Sequence, residues 1–81
     1  MSGLVKFNIF RNDEFVFGGA RKHNEVNDAI IEFLKLCNDD ATYDVEGWTD
    51  DHECVIDVHG SIERICELLR SEYEDKCRWI W

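Results

Sequence analysis

The sequence predicts an α+β domain: a four-stranded, mainly antiparallel sheet with two helices on one face, in the order ββαββα. Four segments in two hairpin-like pairs read as strands, two others recur at the three- and four-residue spacing of an amphipathic helix, and turn-forming residues separate them. The chain has 81 residues, enough for one compact domain spanning 1–81 and too few for a second core. Zero prolines argue against long linkers within it.

Val5, Phe7 and Ile9 alternate with Lys6, Asn8 and Phe10, so one side of the first strand faces a core. Arg11-Asn12-Asp13-Glu14 supplies a turn, and Phe15-Val16-Phe17 resumes a strand that Gly18-Gly19 is expected to end. Asn24 or Asn27 is the expected cap of a helix of about 14 residues, with Glu25 and Asp28 near its positive end. Val26, Ile30, Phe33, Leu34 and Cys37 form its apolar stripe, and Asn38-Asp39-Asp40 ends it.

The second hairpin is built from Thr42 to Glu46 and from Glu53 to Val58, with Cys54, Ile56 and Val58 expected on the core side. Gly60 and Ser61 form the next junction, Ser61 capping a helix whose stripe is Ile62, Ile65, Cys66, Leu69 and Tyr73. Hairpin and helix occur twice, which suggests duplicated ββα units at 4–38 and 42–77. The resemblance between the units is architectural, because few residues match in type.

The opening residues lack a basic stretch followed by an apolar run, so no signal peptide is expected. Charges interrupt every apolar run well short of the roughly 20 residues of a spanning helix, which argues against a membrane protein. Four cysteines without an export signal read as reduced thiols in a cytoplasmic protein. His52, Cys54, His59 and Cys66 are close in sequence, but their strand parity divides them and no zinc-binding spacing is present. No metal or cofactor is therefore expected, and a metal-binding domain ranks below the binding readings that follow.

No catalytic residues are assigned. The cysteines lie in apolar stripes or near the acidic end of the chain, away from the positive surroundings a nucleophilic thiolate requires. The carboxylates are abundant without the cleft that general acid–base chemistry needs, and Gly18-Gly19 lacks a phosphate-loop continuation. The chain reads as a non-enzyme.

Charge placement is the functional signal. The net charge is -9, and all of it resides in residues 39–81, where thirteen acids face four bases. Between Asp39 and Asp57 there are eight acids and no Lys or Arg. Such a balance disfavours direct binding to nucleic acid or anionic lipid. It favours docking on a basic surface of a larger protein, including one that itself binds nucleic acid, for which this chain would compete as an inhibitor or adaptor. A small structural subunit of a complex is the alternative, and a homodimer is compatible with either.

The candidate partner-binding residues are Asp39, Asp40, Asp44, Glu46, Asp50, Asp51 and Glu53, together with Trp79 and Trp81 near the C-terminus. The two tryptophans follow a helix whose apolar stripe is already supplied. They are expected either to pack on the open sheet face or to serve as aromatic anchors for a partner.

Overall fold

A computed structural model describes residues 3–70. It is an α+β fold, four antiparallel strands and two helices in the order ββαββα. The strands are β1 (Leu4–Arg11), β2 (Glu14–Lys22), β3 (Tyr43–Thr49) and β4 (Cys54–Gly60). Helix α1 is Val26–Cys37, and α2 is helical from residue 62 to residue 70, the last one described. Sheet order is β2-β1-β3-β4, so each hairpin contributes one inner and one outer strand. The β2–α1–β3 connection crosses over β1 to reach its far side.

The first hairpin closes on Asn12 and Asp13, with φ of 50° and 70°. Positive φ at both central residues is the backbone a two-residue hairpin turn requires, and Asn and Asp tolerate it better than other side chains. The Asn12 amide donates to the Thr42 carbonyl at 2.8 Å, which ties the turn to the segment leading into β3.

Strand β2 does not stop at Gly18-Gly19 but runs through both to Lys22. Glycine weakens a strand because it leaves backbone uncovered, and here neighbours cover it. A Cβ on Gly18 would lie 2.8 Å from Asn8 Oδ1 and 3.2 Å from the Phe15 ring. The Phe15 side chain thus occupies the space that a side chain at 18 would need.

Alternation places Val5, Phe7, Ile9, Tyr43, Val45, Ile56 and Val58 on one side of the sheet, all buried. Val26, Ile30, Ile31 and Leu34 of α1 and Ile65, Cys66 and Leu69 of α2 join them in a single core. Both helices therefore cover the same face. Phe17 stacks on Phe33 with ring centroids 4.6 Å apart and lies 5.9 Å from Phe7, locking α1 over the first hairpin. Gly47 faces this core, where an added Cβ would fall 3.1 Å from Ile56 Cβ.

Helix α1 spans 12 residues and is capped by Glu25 without a side-chain hydrogen bond. Asn27 is buried instead, its Nδ2 donating to the Leu69 carbonyl at 2.9 Å and joining the two helices. At the other end Asn38 adopts a left-handed backbone, φ 42°, and its amide donates to the Leu34 carbonyl. Ser61 caps α2 as expected, accepting from the Arg64 amide at 3.2 Å. Tyr73 lies outside the described residues.

Cys54 is exposed, contrary to its expected place beside Ile56 and Val58. Between Gly47 and Trp48 the β3–β4 pairing shifts, so Gly47 faces Ile56 while Trp48 faces Cys54. The extra residue, Val55, breaks the alternation on which the expectation rested. Among the described residues, no helix is long and apolar enough to cross a membrane.

Candidate functional site

Both helices lie on one side of the sheet, and among the described residues no element covers its other side, referred to below as the open face. Strand register arranges that face in three rows running across β2, β1, β3 and β4. At the β1–β2 turn end the row is Phe15, Phe10, Asp44 and His59; in the middle it is Gly18, Asn8, Glu46 and Asp57; at the far end it is Ala20, Lys6, Trp48 and Cys54.

The middle row carries the electrostatic feature of the molecule. Glu46 and Asp57 are direct cross-strand partners, and neither side chain has an ion-pair or hydrogen-bond partner among the described residues. Like charges held directly opposite each other destabilise a sheet. Asp44 lies two residues before Glu46 on the same face and contacts His59 Nδ1 at 2.5 Å. Lys6, in the far row on β1, is the sole Lys or Arg in the three rows, and Lys22, paired with Leu4, extends the same face beyond them on β2.

The remaining acids of the 39–57 run fall elsewhere. Asp39 belongs to a clasp at the β1–β2 turn end: Arg11 Nε donates to its Oδ2 at 2.9 Å, Tyr43 Oη donates at 3.0 Å to Oδ1, and the Ala41 amide donates at 3.1 Å. Partial burial pushes the Asp39 carboxyl upward. Hydrogen bonds from Ala41, Arg11 and Tyr43 outweigh that effect and hold it below the usual carboxylate range. Arg11 is raised in turn by its hydrogen bond and charge contact with Asp39. Burial, with Cys37 and Asp39 beside it, pushes Tyr43 up to about 12.

Asp40 is exposed beside a groove between the end of α1 and α2, near Lys35, Glu63, Glu67 and Arg70. Asp50 and Asp51 occupy the β3–β4 turn, and Glu53 follows His52, whose φ is 64°. Thr49 organises that turn, its hydroxyl accepting from the Glu53 amide at 3.2 Å and its amide donating to the Glu53 carbonyl at 3.0 Å. Of the seven acids singled out from sequence, the structure thus brings Asp44 and Glu46 together on the open face, leaves Asp39 and Asp40 in the α1–β3 connection, and places Asp50, Asp51 and Glu53 in the β3–β4 connection. Trp79 and Trp81 lie outside the described residues.

Sequence reading passed over Trp48, Asp57 and Phe15 as site residues. Trp48 and Glu46 share strand parity, a signal available in the sequence. The pairing of Asp57 with Glu46 depends on register and could not be read from parity alone. A shallow groove lies along Lys6, Asn8, Ala20, Trp48 and His52.

The potential metal ligands are dispersed. His52 is in a turn, Cys54 is exposed, His59 is on the open face and Cys66 is buried in the core. Among the described residues, no three His, Cys, Asp or Glu side chains converge. No family model, curated protein or solved structure matches the chain.

Proposed function

We propose that this chain is a small protein-binding protein whose open sheet face docks on a basic surface of a larger cytoplasmic protein, acting as an inhibitor or adaptor without catalysis of its own. The observation that carries the reading is the Glu46–Asp57 pair. Two carboxylates are fixed opposite each other on an exposed sheet, beside Asp44, where folding gains nothing from them and loses by their repulsion. A Lys or Arg from a partner relieves that repulsion and forms charge-assisted hydrogen bonds.

The same arrangement supports fast encounter. A net charge of -9 on so small a chain steers it toward positive surfaces from beyond contact distance. Surfaces that bind nucleic acid are positive for the same physical reason. The partner is accordingly one whose nucleic-acid site and whose site for this chain overlap. Capture from nuclease-treated host lysate, followed by elution with duplex DNA or RNA, tests the competition. Release of the captured protein by the oligonucleotide is the expected result, whereas undiminished retention at saturating oligonucleotide rules the overlap out.

A further inference from the structure

The open face is amphipathic in a definite order. At one end Phe10 and Phe15 meet edge-to-face with centroids 5.9 Å apart, Phe15 being 59% exposed and the neighbouring Val16 41% exposed. At the other end stands Trp48, and Glu46 and Asp57, whose side chains have no partner among the described residues, occupy the middle. Trp48 pairs with Lys6, four residues before Phe10 on β1. The apolar ends are therefore separated by about 13 Å along the strands, at roughly 3.3 Å per residue.

An α-helix covers about 12 Å in eight residues. Positions i, i+4 and i+8 lie along one of its faces. Resting on the docking reading above, we infer that the open face receives an amphipathic α-helix of the partner, with apolar side chains at i and i+8 and a Lys or Arg at i+4. The apolar residues meet the Phe10–Phe15 pair and Trp48, and the cation bridges Glu46 and Asp57. The complex gains a third layer, with helices on both sides of the sheet.

Charge and backbone chemistry select this occupant over others. A second copy of the chain would set Glu46 and Asp57 against identical carboxylates, and nucleic acid would bring phosphates to the same row. An extended peptide lying on the side chains of the sheet would bury its backbone N–H and C=O groups without partners, whereas a helix satisfies them internally. The strand-accepting edges, β2 and β4, lie to either side of the inner strands that carry Phe10, Glu46 and Trp48.

A display library of helical peptides, varied at i, i+4 and i+8 among Leu, Trp, Lys, Arg, Glu and Ser, tests the inference against the full-length chain. Apolar–basic–apolar stripes should be enriched roughly tenfold or more over stripes basic at all three positions. Selection on Glu46→Gln/Asp57→Asn should abolish the preference for a cation at i+4, and selection on Trp48→Ala should abolish the apolar preference at one end only. Equal enrichment of the all-basic stripe overturns the helical inference and leaves acidic docking standing. Absence of enrichment of any basic stripe overturns both. A homodimer in sedimentation that Trp48→Ala dissolves, or helical-peptide binding that appears only when the chain is truncated after Arg78, overturns the choice of occupant.

Discussion

Replacing Glu46 with Gln removes one member of the like-charged pair with little change of shape. The two residues face each other directly across β3 and β4, which places their carboxylates about 6 Å apart on the geometry of cross-strand neighbours. At that separation the repulsion is roughly 0.7 kcal/mol in the dielectric of bulk water and near 3 kcal/mol at an effective constant of 20. Asp57 is exposed and Glu46 half-buried, so the aqueous end of the range governs. Glu46→Gln should stabilise the domain by about 0.5–1 kcal/mol. For a domain of this size that is a rise in Tm of roughly 2–8 °C. Thermal and urea unfolding should show the gain in full near 0.01 M salt and little of it near 1 M, where the screening length falls from about 30 Å to about 3 Å. Asp57→Asn should give a similar gain, and the double variant less than the sum, since one repulsion is removed once. Glu67→Gln, on the exposed side of α2, serves as the control. A Glu46→Gln protein less stable than wild type at low salt, or a gain indifferent to salt, would refute the reasoning.

The Tyr43 phenol is raised to about 12 from an ordinary 10.0, so its contribution to stability is complete below pH 10 and lost as pH rises toward 12. Tyr43→Phe should cost about 1 kcal/mol at neutral pH through the lost hydrogen bond to Asp39 and should flatten this alkaline decline in a pH series of urea midpoints. Asp39 has the opposite sign: its carboxyl is depressed, so its stabilising contacts persist at neutral pH and fade as acid protonates it, an acid-side loss that Arg11→Met should diminish. Gly47→Ala should destabilise by about 1–3 kcal/mol, measured by urea unfolding, because the new methyl meets Ile56 on the core side. Exposed Cys54 should react with a thiol reagent in the native protein, while Cys66, buried and with its thiol pushed upward by burial, should stay protected until unfolding; mass spectrometry of the labelled peptides distinguishes them.

Fold class was legible because the period-2 pattern of Val5, Phe7 and Ile9 and the helical stripes of both helices encode which side is buried. Strand order was not, since parity tells a strand its face and never its neighbour. Three local readings failed for identifiable reasons. Gly18 and Gly19 resembled a strand terminus because the covering role of Phe15 depends on the shifted pairing near Phe10. Asn27 looked like a cap by type, yet it is buried and reaches across to Leu69, a contact 42 positions away in the chain. Cys54 had core parity, which the irregular pairing at Trp48 reverses. The acidic run was visible as composition, but its division among a clasp, a turn and an open face is set by register. Asp39 and Asp44 are close in sequence, and one clasps Arg11 and Tyr43 at the β1–β2 turn end while the other lies beside Glu46 on the open face.

Comparative capture from host lysate tests the central claim most directly, with wild-type chain, Asp44→Asn/Glu46→Gln/Asp57→Asn and a Glu63→Gln/Glu67→Gln control immobilised at equal density after unfolding curves show each to be fully folded at the capture temperature. The account predicts a basic protein retained by wild type and by the helix-α2 control and lost from the open-face variant. Retention of that protein equally by all three chains would contradict it.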